Sequence, residues 1–162
     1  MIDAFRQALT GIREAVCHER NLRIQICCAG YVAVFGALAG LEAWAWVACL
    51  ICIGMVLCAE LLNTALESLC NRVCSEYDEP VRRSKDTAAG GVLMAAVFSA
   101  IVGAVVFFRP LALGRLWTRF SESPWMAAIP VVMLPLCIFF IKGSSKYQKS
   151  KKDRIWESKN QD

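Results

Sequence analysis

The sequence predicts an all-α integral membrane helical bundle: an N-terminal amphipathic surface helix, three core transmembrane helices and an extra C-terminal fourth span. Three observations carry this. The 162 residues are 57% hydrophobic and only 20% charged, and the charges are segregated, which suits a membrane chain better than a soluble one. Four apolar stretches, about 24–41, 43–62, 88–108 and 125–141, approach the roughly 20 residues that a helix needs to cross the hydrocarbon core. The runs Ala43–Ala59 and Ala88–Phe108 carry no charge at all. The length suits one domain. Residues 1–108 form its core, and residues 109–162 add a loop, the fourth span and a basic tail.

Residues 2–18 come first. Ile2, Phe5, Leu9, Ile12 and Val16 recur at three- and four-residue steps while Arg6, Arg13 and Glu14 fall elsewhere, the mark of an amphipathic helix. Such a helix can lie in the membrane interface or pack on the protein itself, and the pattern alone leaves both open. Asp3 and Arg6 stand within the first ten residues, and the strongly apolar run begins only near Ile24; this is not the layout of a signal peptide. Glu19 follows, an acid beside Arg20 and Arg23, for which a solvated or salt-bridged side chain is the plain local reading.

The first span is rich in small residues (Ala29, Gly30, Ala33, Gly36, Ala37, Gly40), which favour close helix packing in lipid. Its connection to the second is so short that the two form an antiparallel hairpin. The second helix outruns the membrane to about Cys74. Ser75–Pro80 breaks it, and Ser84 is the N-cap candidate for the third span. Residues 109–124 read as a loop with Pro110, Gly114 and Pro124. The fourth span carries Pro130 and Pro135 and reads as an anchor, and the tail from Lys142 reads as poorly ordered and able to touch anionic lipid. Lysine and arginine mark the cytoplasmic side. They collect before the first span, around 72–85 and after Lys142, which puts both termini inside; Arg109, Arg115 and Arg119 depart from that pattern.

Nine cysteines and one histidine invite a metal or disulfide reading. Cys49 and Cys52 form a CxxC, but no second half-site answers it, and His18 has only Cys17 beside it. Cysteine inside apolar runs is a small, lipid-tolerant residue, and filler is the better reading.

The stretch Ala59–Asp86 carries the chemistry. At 100° per residue Glu60, Asn63 and Glu67 fall within about 60° of one another, a carboxylate–amide–carboxylate face on an apolar helix. Such groups are costly in a membrane and mark function by default. Glu19 and the Lys85–Asp86 pair belong to the same cytoplasmic layer. Carboxylates with phosphate oxygens and water suit Mg²⁺, basic side chains suit phosphate, and a carboxylate beside an alcohol can act as a general base. That inventory fits phosphoryl transfer to a lipid hydroxyl. It equally fits a cation-binding or assembly module without catalysis, or, less well, a proton relay in a small transporter. No GxxxxGK[ST] loop, HRD, DFG or GxSxG motif occurs.

Glu60-Leu-Leu-Asn-Thr-Ala-Leu-Glu67, Ser75-Glu-Tyr77 and Lys85-Asp86-x-Ala-Ala-Gly, with Gly11-Ile-Arg and Glu19-Arg-Asn upstream, resemble the signature of the small bacterial integral-membrane lipid kinases. That family covers diacylglycerol kinase and undecaprenol kinase, and the resemblance spans roughly residues 4–108. It implies a surface helix and three spans in the inner membrane, assembled as a homotrimer with shared active sites, phosphorylating a lipid alcohol with ATP and Mg²⁺ and using no nucleic acid. By position it implies that Glu60 is the general base and that Asn63 orients the reacting groups. Glu19 and Glu67 would hold Mg²⁺. Glu76, Tyr77, Lys85 and Asp86 would contact ATP, and Gly11, Arg13 and Arg23 would lie at the substrate. Asn71 stands where an aspartate is common, Ala8 where some members have serine, and Asp78 where histidine is frequent; these touch fine nucleotide contacts. Glu-Arg-Asn leans towards the undecaprenol kinases, and Ser-Glu-Tyr-Asp-Glu towards the diacylglycerol kinases.

Overall fold

The computed structural model describes residues 2–74 and 77–159, with side chains as far as 143. Its helices are α1 (Ile2–His18), α2 (Arg20–Ala39), α3 (Ala43–Val73), α4 (Glu79–Phe107), α5 (Pro110–Glu122) and α6 (Ala128–Lys159), the last preceded by a 3₁₀ turn, Pro124–Ala127. Four segments are long and apolar enough to cross a membrane: Arg20–Ala39, Ala43–Val73, Glu79–Phe107 and Pro124–Gly143. The chain is a multi-pass membrane protein whose spans alternate in direction.

Alpha-helix 1 leaves its apolar stripe uncovered. Ile2, Phe5, Leu9 and Ile12 are all exposed, and of its residues only Ala15 is buried. Between the two placements that the pattern allows, this face is free for lipid.

The α2–α3 hairpin turns at Gly40, in the left-handed conformation at φ 58°. Its N–H bonds to Ala37 O at 3.2 Å, and the N–H of Leu41 reaches back to Gly36 O at 3.1 Å. This closes the α2 carbonyls as glycine-terminated helices do. Gly36 is also a place of close approach, since a Cβ there would stand 2.9 Å from the Trp46 ring.

Alpha-helices 3 and 4 pack along their length. Ala45, Cys49 and Val106 are buried together, with Val32, Leu41, Val102 and Phe107 around them. Small side chains bring backbones close where lipid offers no hydrophobic drive between helices. Ser99 Oγ donates to Ala95 O at 2.7 Å within α4 and lies 3.4 Å from Cys52 O of α3. None of the nine cysteines forms a disulfide.

Three sequence expectations are corrected. Alpha-helix 4 begins at Glu79 with Asp78 at the N-cap, not at Ser84, whose hydroxyl donates within the helix to Pro80 O at 3.0 Å. Pro80 sits in the first turn, where its missing N–H costs nothing, and Glu79 is held by Arg82 and Arg83 at 2.9 and 3.3 Å. The segment expected to be a loop is helix α5: Ala112, Leu116 and Phe120 share its bundle-facing side, and Pro110 suits its first turn. The tail is not irregular, because α6 continues as helix to Lys159.

The residues after α4 fold back onto α2. Tyr31 OH donates to Pro130 O at 3.1 Å, and Gly30 accommodates the Met133 methyl, which an added Cβ would meet at 3.4 Å. Alpha-helix 6 thus runs antiparallel to α2. Alpha-helix 5 lies across the end of the hairpin, where Arg115 Nη1 donates to Gly40 O at 2.6 Å and Arg109 stacks 5.0 Å over the Trp44 ring.

Candidate active site

The carboxylate–amide–carboxylate face of α3 turns inward. Glu60 is 2% exposed and Asn63 8%, a burial that charged and polar groups avoid unless partnered. Gln25 of α2 supplies the partner, donating from Nε2 to Glu60 Oε2 at 3.2 Å. Asn63 Nδ2 donates to Glu67 Oε1 at 3.0 Å. Buried acceptors are left over: Asn63 Oδ1, Gln25 Oε1 and Thr64 Oγ1 make no hydrogen bond in the chain. Unpaired buried acceptors are uncommon and call for a reason.

Glu19 joins this cluster from the junction of α1 and α2, where it occupies the N-cap position of α2 without a side-chain cap bond. Its carboxyl is pushed above the ordinary range, first by burial and then by the negative charges of Glu67 and Glu60. Three carboxylates therefore converge from two parts of the chain, with cationic relief only from His18 and Arg23.

Arg23 is 4% exposed. Its Nη1 donates to Val16 O and Cys17 O at 2.9 and 3.0 Å, the last carbonyls of α1. It ties α1 to α2 beside Glu19. Gly11 and Arg13 lie on the exposed length of α1, away from the cluster's hydrogen bonds.

The residues assigned to ATP form a second group at the start of α4. Lys85 Nζ donates to Asn71 Oδ1 across the α3–α4 break at 2.6 Å. Asp86 pairs with Arg82 at 3.6 Å. Tyr77 is exposed and donates to Glu79 at 2.6 Å; this bond also raises the phenol above its usual range. Glu76 lies outside the described residues. Within the chain, no hydrogen bond or ion pair among the described residues links this group to the carboxylates.

Gln25 is the residue that sequence reasoning missed. It also lines an apolar cavity of about 350 Å³ between α2, α3 and α4, with Leu57 and Ala96 near its own level and Cys49 and Phe107 towards the far end. Its only sequence signal is an amide in the otherwise apolar run that follows Arg23.

The sequence profile of the family described as prokaryotic diacylglycerol kinase matches residues 6–107, which covers α1 to α4 and every residue just placed. The chain belongs to the prokaryotic diacylglycerol kinase family. Among its relatives, a diacylglycerol kinase of Synechocystis sp. is 38% identical over 112 residues, 68% of this chain and 64% of that protein. An undecaprenol kinase of Bacillus subtilis is 33% identical over 108 residues, 67% of this chain and 88% of that protein. A diacylglycerol kinase of Escherichia coli is 31% identical over 67 residues, covering 41% of this chain and 48% of its own length. The chain thus spans just under two thirds of the Synechocystis relative. Alpha-helices 5 and 6 lie beyond the residues by which it joins the diacylglycerol kinase family.

Proposed function

We propose that this protein phosphorylates a membrane lipid alcohol, diacylglycerol or undecaprenol, with ATP and Mg²⁺. One observation carries the reading: Gln25, which lines the α2–α3–α4 cavity at one end, holds the buried Glu60 carboxylate at 3.2 Å. The cavity follows α4 for about 16 Å at 1.5 Å per residue, room for part of a hydrocarbon chain whose hydroxyl then meets Glu60. Gln25 Oε1, which has no donor of its own, is available to accept from that hydroxyl or to hold it in line.

In this reading Glu60 takes the hydroxyl proton as general base. Asn63 orients the reacting groups through its free Oδ1. The donor set suits a hard cation, because Glu19 and Glu67 both offer carboxylate oxygens and lie close enough for their charges to act on one another. Mg²⁺ is commonly bound by one or two carboxylates together with nucleotide phosphates and water. Bound there, Mg²⁺ would offset phosphate charge. Lys85, Asp86, Tyr77 and Glu76 hold the nucleotide. Arg23 supports the site by fixing α1 against α2, with Gly11 and Arg13 on the helix above the lipid surface. Transfer is direct and in line, driven by positioning and charge neutralisation. The active unit is a homotrimer in the cytoplasmic membrane, with ATP on the inner side.

The test uses purified protein in mixed micelles with labelled ATP and Mg²⁺, offering diacylglycerol and undecaprenol separately. Label in one lipid, lost by about 10²-fold or more in Glu60→Gln as for a removed general base, supports the reading and names the acceptor. Label in neither, from folded trimeric protein, removes the catalytic assignment and leaves the cation-binding module.

A further inference from the structure

Three arginines, Arg109, Arg115 and Arg119, gather at the end of the bundle far from the Glu60 cluster. Alpha-helix 5 presents three distinct sides at 100° per residue. Ala112, Leu116 and Phe120 face the bundle, with Ala112 buried and the other two half-buried. Leu113 and Trp117 stand next to them, exposed, Trp117 to 77%. Arg115 and Arg119 lie roughly 140° away from these two, together with Thr118 and Glu122. The Arg115 bond to Gly40 O fixes the level of the helix, because Gly40 ends one span and Ala43 begins the next. Trp44 and Trp125, both exposed, flank the same level at the starts of α3 and of the fourth span. Exposed tryptophans gathered at the ends of spans mark a membrane–water boundary. Arg109 is engaged over Trp44, whereas the Arg119 guanidinium makes no hydrogen bond or ion pair among the described residues.

We propose that α5 is an interfacial anchor that binds phospholipid phosphates in the leaflet opposite the Glu60 cluster, through Arg119 beside Arg115, with Leu113 and Trp117 among the acyl chains. An amphipathic helix with arginine on one side and tryptophan and leucine on the other lies in the interface plane. The arginine fork matches a phosphate oxygen pair. The occupant is a lipid headgroup, because the same level carries span ends and exposed tryptophans, and because Arg119 is exposed with its guanidinium unengaged. The three arginines that break the basic-side rule are thereby explained: Arg115 and Arg119 meet lipid phosphate at the boundary, and Arg109 stacks on Trp44 at the same level, rather than sitting in a translocated loop.

The full chain is reconstituted in nanodiscs of phosphatidylglycerol and phosphatidylcholine, and phospholipids retained after transfer to mild detergent are counted by native mass spectrometry. Wild-type protein is expected to keep phospholipid, Arg119→Lys to keep part of it, and Arg119→Gln to retain several-fold less, with circular dichroism and lipid-kinase turnover unchanged. In the same discs, the fluorescence lost in Trp117→Phe is expected to be quenched by brominated acyl chains and shielded from iodide. Equal retention by wild type and Arg119→Gln, or Trp117 quenched by iodide and not by brominated lipid, overturns the proposal. So does a change of oligomeric mass in either variant with lipid retention intact, which would make this face a contact between copies of the chain. Because turnover is read separately, loss of the anchor and loss of the kinase reading are distinguishable.

Discussion

Arg23 illustrates how burial assigns a role to a single side chain. With 4% of its surface exposed and two carbonyls of α1 on its Nη1, it holds the surface helix to the first span. Arg23→Gln is expected to destabilise the protein by about 1.5–3 kcal/mol, the range for a hydrogen bond to a charged donor, and to speed hydrogen exchange in α1 ahead of the rest; unchanged exchange there would contradict the assignment. Glu19 provides a pH signature. Its carboxyl lies above the ordinary range because of burial, Glu67 and Glu60, and an acid raised on folding contributes stability that is present below its unfolded pKa and lost as pH rises through the folded value. In the absence of divalent cations, the melting temperature is therefore expected to fall as pH climbs out of the carboxylate range, and to fall less in Glu19→Gln. Lys85 is held at 2.6 Å by the neutral amide of Asn71, which leaves its charge available to a phosphate. Asn71→Asp replaces that with an exposed ion pair worth at most about 1 kcal/mol, so KM for ATP should rise by up to about fivefold with kcat little changed. Glu60, Asn63 and Glu67 were legible from their spacing alone. Gln25 was not, because one amide in an apolar run acquires meaning only when another helix brings a carboxylate to 3.2 Å from it.

At the scale of elements, hydropathy found the four spans and the 3.6-residue pattern found α1, since both signals depend on composition and period along one segment. Alpha-helix 5 escaped because Pro110, Gly114 and Pro124 resemble loop punctuation. Its helicity depends on docking Ala112, Leu116 and Phe120 against the hairpin, a tertiary effect that outweighs local propensity. The start of α4 was misplaced for a related reason: Ser84 has the chemistry of a cap, but Glu79 with Arg82 and Arg83 makes an earlier turn stable. Packing at Gly36 supplies a test at this scale. An added Cβ would stand 2.9 Å from the Trp46 ring and 3.1 Å from Leu41, so Gly36→Ala is expected to cost about 1–3 kcal/mol through overpacking. Gly114, on the outer side of α5 with nothing within 4 Å, should behave oppositely, Gly114→Ala gaining up to about 1 kcal/mol from helix propensity. Thermal melts in one detergent compare the two, and equal shifts would mean that the Gly36 contact does not constrain the hairpin.

The whole molecule leaves broad faces of α3 and α4 apolar and uncovered, including Leu50, Met55, Leu93, Phe98 and Ile101, while the outer face of α2 is taken by α6. In the proposed homotrimer, neighbouring copies would meet on α3 and α4. The carboxylates and the Lys85 group are not joined inside one chain, so sites completed between subunits predict complementation. Co-expressed Glu60→Gln and Lys85→Ala chains should recover part of the turnover that each lacks alone, whereas no recovery in mixed, folded assemblies would place the whole site within one subunit. The return path of α6 has one further outcome. Three crossings would leave the two ends of the polypeptide in different compartments, but four bring the end of α6 back to the side where α1 begins. Any domain, tag or regulatory extension joined beyond α6 is thus delivered to the compartment that holds the Glu60 cluster, so fusions before α1 and beyond α6 report on one and the same side of the membrane.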